Sequence, residues 1–542
     1  MAATDERSEW TLVLGLAVLS LALFLVYWDV GVNDDEGYLL GGVTRILDGQ
    51  VLYRDFHHTY APGRFYLVAG LFRLFGENLL VLRAFWVILR VAVVLLAYAA
   101  GRRVLSRPAA FAAALLFIVA PGPWHKSFFH LFVLLQLIAF AGLGRRDSLR
   151  PAALAGLAAG FAFLFRQDLG AFGVLVYLVL FALKRWTGET PRRALAFLAA
   201  AAAPVAPVIV AFAFSGGLAE GAGKVLLAGM RDNQTNTLPF PPLFHPIRGD
   251  VRGAGFFLLR LLYYAPVPLY LAAFAVGAVR LGRAGTAWRA GRAGTGGEGG
   301  RRLLVYALFG LLAFNQTLWR SDLAHLLQSL APAWILLLWL FDETARRRPF
   351  LGNALAGILP VAVFVLLLNY SQTWWDSYGA ARIAAEGFQP IPPYYTGSLA
   401  QLGGGETQRL PFDRAPLRTT REQAAFLTVL GETVDRYSRP GDYVLSVPGL
   451  QMTYFLFDRR NPTAYIHLRR ALDSREEEDR YIRDLTEKPT RMVLLRDAPI
   501  DGREERRFSL YAPRVFEAIE REFEPVGMLG DIRVYRRKGT GL

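Results

Sequence analysis

The chain has no cysteine in 542 residues, which excludes a disulfide framework and a thiolate metal site. Lysine is almost absent as well. Lys126, Lys184, Lys224, Lys488 and Lys538 are the only lysines, although lysine and arginine together number 60. The formal charge of +15 is therefore almost wholly arginine's. Charge of either sign is sparse, at 19% of residues, while 54% are hydrophobic and mean hydropathy is +0.29. Apolar content of that order lies well above the range of soluble proteins and marks a membrane protein. A basic excess can signal nucleic-acid binding. Here the arginines are split among short connectors instead of gathered on one face, so no nucleic-acid partner is expected.

Apolar runs of membrane length are abundant. About 20 residues at about 1.5 Å rise each cross the hydrocarbon core. Spanning helices are predicted near 10–28, 79–101, 108–120, 127–143, 151–165, 169–186, 194–214, 254–280, 302–318, 326–341 and 351–370. The run at 108–120 is short enough to be re-entrant or to merge with its neighbour. Trp10 to Trp28 lacks a small-residue cleavage site and precedes a second apolar block, so it reads as a span and not a cleaved signal. One set of connectors carries Arg102, Arg103 and Arg107, then Arg145, Arg146 and Arg150, then Arg192 and Arg193, and Arg346 to Arg348. By the positive-inside rule these face the cytoplasm, as does the N-terminus, and the region after Tyr370 lies outside. The expectation is a polytopic α-helical membrane protein of about eleven spans over residues 1–370, followed by an extracytoplasmic α/β domain over 371–542. The arginine-rich composition points to a bacterial cytoplasmic (inner) membrane.

The second region alternates helical and strand patterns. Arg421 to Tyr437 has helical apolar spacing, RPGDYVLSV enters a buried strand, and Leu450 to Phe457 reads as a helix. A charged helix over Ser474 to Leu485 precedes a strand at Arg491 to Leu495. Val526 to Tyr535 reads as a hairpin turning at Gly530-Asp531. Ser371 to Arg418 is an irregular connection, and Gly294 to Gly300 a flexible cytoplasmic one.

The candidate chemistry lies in the outer connectors. Asn33 to Tyr66 packs Asp34, Asp35 and Glu36 just after the first span, with Asp55, His57, His58 and Tyr60 following. The acids suit the first turn of a capped interfacial helix. One of them also suits a general base, because an acceptor hydroxyl is a weak nucleophile near neutral pH unless a carboxylate takes its proton. The second group suits either an interfacial turn with an aromatic belt or contact with a phosphate. The adjacent histidines could also ligate a metal, but that needs three or four converging ligands, so a divalent metal is possible but not expected, and no other cofactor is. On the same outer side lie Lys126 in WHKSFFH, Arg166 and Asp168 in FRQD, and Arg320, Asp322 and His325 in NQTLWRSDLAHLLQ. Charges there either snorkel and pair, or form a cationic clamp for a lipid-borne phosphate.

At Asp35-Glu36 outside the first helix, followed by His58-Thr59-Tyr60-Ala61-Pro62-Gly63, the chain resembles the GT-C glycosyltransferases that use polyprenyl-phosphate sugars, the superfamily of protein O-mannosyltransferases and lipid A aminoarabinose transferases. That resemblance covers roughly the first 370 residues. It implies a catalytic carboxylate in the first outer loop, carried here onto Asp35 with Glu36 as partner, Asp34 being the alternative one position away. Gly63 stands where the family's second proline falls. The implied activity is an inverting hexosyl or pentosyl transfer from a polyprenyl-phosphate sugar donor to a lipid, glycan or protein acceptor. Two other classes remain open: a polytopic transporter or flippase, and a non-catalytic subunit of a cell-envelope polysaccharide assembly system. The paired interrupted helices and repeated halves of many transporters are not visible in the sequence.

Overall fold

The structure is a computed structural model that describes residues 2–144, 148–225, 237–243, 260–289, 296–370, 407–468, 472, 474–500 and 503–539. Apolar runs become helices in chain order: α1 (Ala2–Leu25), α2 (Asp34–Leu47), α3 (Gly63–Phe75), α4 (Leu79–Gly101), α5 (Arg107–Val119), α6 (Ser127–Ala141), α7 (Arg150–Phe165) and α8 (Gln167–Ala182). A single turn, α9 (Lys184–Thr187), precedes α10 (Pro191–Ser215), and α11 (Leu218–Gly223) follows it. The helical series continues with α12 (Pro266–Arg289), α13 (Gly296–Trp319), α14 (Leu323–Ser329), α15 (Ala331–Ala345) and α16 (Pro349–Tyr370).

The chain folds into two compact units, and neither is one continuous stretch of sequence. The first comprises Met1–Trp28, Ala84–Val210 and Asn236–Pro393, and the second comprises Asp29–Arg83, Ala211–Thr235 and Tyr394–Leu542. The loop after the first helix thus groups with the C-terminal segment.

The first unit is helical. Among the described residues, five helices are long and apolar enough to cross a membrane, and α14 with α15 makes a sixth if a bent pair counts as one span. Four shorter apolar helices accompany them. Only 6% of the best window of α10 is buried by protein, so its apolar side chains require lipid around them, and bilayer helices tolerate its internal Pro204 and Pro207. The run expected as one straight span near 326–341 is broken: α14 and α15 meet at 59°. Pro332, in the first turn of α15, has no N–H to extend the preceding ladder. The glycine-rich stretch expected as a connector is partly helical, since Gly296 to Gly300 opens α13. Residues 254–259 of the expected 254–280 span and residues 371–406 of the expected connection lie outside the described residues.

The second unit carries the α/β part. After the short ribbon of β1 (Thr407–Arg409) and β2 (Arg418–Thr420) come α17 (Arg421–Tyr437), β3 (Tyr443–Val447), α18 (Met452–Leu456), α19 (Arg475–Glu487) and β4 (Thr490–Arg496). α20 (Phe508–Tyr511), α21 (Pro513–Glu522), β5 (Phe523–Leu529) and β6 (Ile532–Arg537) complete it. The sheet order is β3-β4-β6-β5, with β3 parallel to β4 and the other neighbours antiparallel. Leu445, Val447, Val493 and Leu495 from the strands pack with Tyr481, Leu485, Val515 and Ile519 from the helices to form its core. The β5–β6 turn places Gly530 at φ 60°, a left-handed conformation that glycine adopts without steric cost. Expected helix 450–457 shrinks to the single turn α18, and helix α21 carries no expectation from the sequence.

The loop after the first helix is stitched to this domain through its backbone. Gly31 N–H donates to Arg418 O at 2.8 Å, Arg418 N–H to Asp29 O at 2.8 Å, His57 N–H to Ala464 O at 2.7 Å, and Leu79 N–H to Arg414 O at 2.7 Å. The Asp29 carboxylate accepts from Arg418 at 2.6 and 2.8 Å. Helix α2 lies so close to α18 that a Cβ on Gly37 would stand 2.6 Å from Met452 N.

Candidate active site

The acidic triplet is divided by helix geometry. Successive residues of an α-helix are about 100° apart, so three in a row cannot share a face. Asn33, extended at φ −116° and ψ 130°, caps α2 by accepting from Asp35 N–H at 2.8 Å. Asp34 and Asp35 are exposed on the first turn, where the helix dipole favours negative charge. Glu36 points inward and is fully buried. Its Oε2 accepts from Arg83 Nη2 at 2.6 Å, and both side chains are at most 2% exposed. Arg83 also donates to Gly31 O at 3.0 Å and Val30 O at 3.3 Å. The residue expected as partner to the base is therefore a buried anchor, and only Asp34 and Asp35 of the three face solvent.

Asp55 closes its own turn. It accepts from Arg54 Nε at 2.9 Å, Arg54 Nη2 at 2.7 Å and Val51 N–H at 2.7 Å. The Arg54 hydrogen bond holds its carboxyl below the usual carboxylate range. His57 is buried, and burial, aided by Lys224 and Arg480, pushes its imidazole down to about 4. Glu220, 3.3 Å away but half-exposed, does not offset this. His58 is buried against Tyr38 and Phe65, at ring distances of 5.0 and 4.5 Å, and burial holds it well below the usual histidine range. Its Nδ1 accepts from Tyr60 N–H at 2.8 Å, and its Nε2 lies 2.9 Å from Arg64 Nη2. Tyr60 lends its carbonyl to Tyr53 OH at 2.8 Å and its ring to Arg64, 5.1 Å from the centroid. Burial disfavours the charged form of both histidines. They shape the turn that leads into α3.

The three remaining polar clusters do come together, within the first unit. Arg320 Nε donates to Asp322 Oδ2 at 2.7 Å, while Asp322 Oδ1 caps α14 by accepting from His325 N–H at 2.8 Å and lies 2.7 Å from His325 Nδ1. His325 Nε2 is 3.3 Å from Lys126 Nζ. With Nδ1 protonated towards Asp322, Nε2 accepts from the ammonium, so the row Arg320–Asp322–His325–Lys126 holds two cations and one anion. One turn before Arg320, Gln316 donates to Asp168 Oδ2 at 2.8 Å, and Asp168 takes Arg166 in a forked pair at 2.9 and 2.7 Å. Arg166 also stacks on Phe129, 5.0 Å from the ring centroid. Arg83 and Gln316 are absent from the sequence-based set. An arginine inside an apolar run, and a glutamine near the end of a helix four residues before another arginine, were the signals that point to them. Among the described residues, no three of His, Asp and Glu are grouped so as to hold a metal ion.

Apolar helices joined by polar loops, with a small α/β domain gripping the loop after the first helix, define a multi-pass membrane protein of the GT-C glycosyltransferase fold. The family model described as dolichyl-phosphate-mannose-protein mannosyltransferase matches residues 58–210. ArnT from Cupriavidus metallidurans in the apo state superimposes with a TM-score of 0.55 at 16% identity, over 99% of this chain and 98% of that one. The same protein bound to undecaprenyl phosphate gives 0.52 at 15% identity, over 97% and 98%. At such identities the likeness is one of fold. No curated protein matches the sequence.

Proposed function

We propose that the protein transfers a sugar from a polyprenyl-phosphate carrier to an acceptor hydroxyl, with inversion, at the outer face of a bacterial cytoplasmic membrane. Asp35, or its equally exposed neighbour Asp34, takes the hydroxyl proton as the oxygen attacks the anomeric carbon. The bond from that carbon to the lipid phosphate breaks, and the phosphate leaves with an added negative charge. Lys126, Arg166 and Arg320 are assigned to that charge, since arginine forks suit phosphate oxygens. The reading includes eleven spans, a cytoplasmic N-terminus and an outer C-terminal domain.

The observation that carries the proposal is the split of the acidic triplet: a buried ion pair of Glu36 with Arg83 pins α2, and two carboxylates are left exposed on its capped first turn. The shared fold, and a structural relative that binds undecaprenyl phosphate, support the choice of donor. The test is turnover of a lipid-linked sugar in proteoliposomes. Removing a general base typically lowers the rate by about 10²–10⁴-fold. Asp35→Asn, or Asp34→Asn if the base is one position earlier, should fall in that range with the fold intact. A double Asp34→Asn, Asp35→Asn variant at full rate removes the assignment. Arg166→Ala and Arg320→Ala should weaken donor binding, and unchanged donor affinity in both rejects the clamp.

A further inference from the structure

At the C-terminal half of α2, within the second unit, lies a polar cavity of about 160 Å³ whose walls include Thr44, Arg45, Asp48, Arg414, Asp458 and Arg460. Most of its charges are matched. Arg460 pairs with Asp48 at 3.3 Å, and Arg414 pairs with Asp458 at 3.1 Å and with Glu77 at 3.3 Å. Arg459, also in the wall, takes Asp435 at 2.6 Å. Arg45 differs. It is 6% exposed, yet no carboxylate lies within ion-pair distance of it among the described residues. Its Nη2 donates to the carbonyls of Asn461 at 3.2 Å and Thr463 at 2.5 Å, while Nε and Nη1 donate to no described residue. A buried guanidinium held by carbonyl dipoles and the face of Phe56, 5.3 Å from the ring centroid, with no carboxylate paired to it, is an expensive arrangement unless an anion completes it. Burial does lower its pKa, to about 10.

We propose that this cavity binds an oxyanion, a phosphate ester or carboxylate group, with Arg45 as its fork. A cavity of about 150 Å³ takes a six-membered ring, so a group carried on a monosaccharide or a lipid headgroup suits its size. Arg45 stands ten residues along α2 from Asp35, about 15 Å by helix rise, which makes this a separate site from the candidate base. The inference does not depend on glycosyl transfer.

The experiment uses the full chain and isothermal titration. Glucose 6-phosphate is added to protein in uncharged detergent, and in parallel the protein is reconstituted in nanodiscs with and without phosphatidylglycerol and scored by thermal shift. Saturable binding of the soluble probe assigns a soluble source. A shift with phosphatidylglycerol alone assigns a headgroup. The absence of both responses overturns the proposal. Arg45→Gln should weaken the positive response about tenfold or more, the scale of a charged hydrogen-bonded pair. Should that variant not fold, Thr44→Tyr fills the cavity while leaving both Arg45 carbonyl bonds in place, and it should abolish the response. Asp48→Asn frees Arg460 towards the cavity and should tighten binding about two- to fivefold. Asp35→Asn should bind unchanged, which separates this site from the transfer reaction. A response unaltered in Thr44→Tyr overturns the site.

Discussion

Two residues show how burial ties a carboxylate or an imidazole to the stability of the fold. Glu36 is one of three adjacent acids, but the Arg83 guanidinium at 2.6 Å seals it away from water. Removing one partner leaves an uncompensated buried charge, which typically costs about 3–5 kcal/mol. Arg83→Met should therefore lower thermal stability steeply, and Glu36→Leu with Arg83→Met should recover most of it. A double variant no more stable than Arg83→Met shows that the pair is not the anchor described. His57 makes a pH prediction. Its folded pKa of about 4 lies below the ordinary 6.5, so the unfolded chain binds more protons between those values. The contribution of a neutral His57 is complete above about pH 6.5, is lost as pH falls towards about 4, and is level below that. Melting temperature measured from pH 7.5 to 4 should thus fall more in the native chain than in His57→Gln. Identical curves remove His57 as a source of the acid sensitivity.

Helix α2 joins the site to the domain beneath it, and its close packing relies on a missing side chain. A Cβ at Gly37 would press on Met452 N at 2.6 Å, a backbone atom that has no rotamer to escape into. Overpacking of that kind typically costs about 1–3 kcal/mol. Gly37→Ala should destabilise by that amount, and it should lower transfer rate more than donor affinity, because it tilts the turn that carries Asp34 and Asp35. Equal stability with normal turnover shows that the contact is not tight. At the other end of the same turn, Asn33→Ala removes a side-chain cap worth about 1 kcal/mol. Helix spans and strand positions were legible because period and length encode them: Arg421 to Tyr437 is helical, and β3, β4 and the β5–β6 hairpin fall where alternation and Gly530-Asp531 place them. The break before α15 and the helical start of α13 were not read, since a proline or glycine marks a possible interruption and only the neighbours decide whether it is used.

For the molecule as a whole, the second unit gathers segments hundreds of residues apart in the chain. The loop after the first helix holds its course through backbone bonds to Arg414, Arg418 and Ala464, and through Arg45 on the carbonyls of Asn461 and Thr463. A chain ended after Tyr370 should retain its apolar helices in the membrane but lose the conformation of residues 29–83. Limited proteolysis of reconstituted protein checks this: the loop should be cut early in the truncated chain and be protected in the whole one. Protection in both shows that the loop folds alone. Sugar transfer by the truncated protein should vanish for the same reason, even though all of its proposed catalytic residues remain.

Composition and run length by themselves determined the membrane character, the approximate helix positions and the polar loops between them, because the bilayer demands long apolar stretches whatever surrounds them. They also supplied the acids and cations from which a site is built. Which acid is buried, that burial disfavours the charged form of the two histidines, and that Lys126, Arg166 and Arg320 belong to linked rows of hydrogen bonds depended on contacts across long stretches of chain. Local pattern carries no record of such contacts: burial and pairing are properties of the packed neighbours, and a carboxylate reads the same in sequence whether water or an arginine faces it.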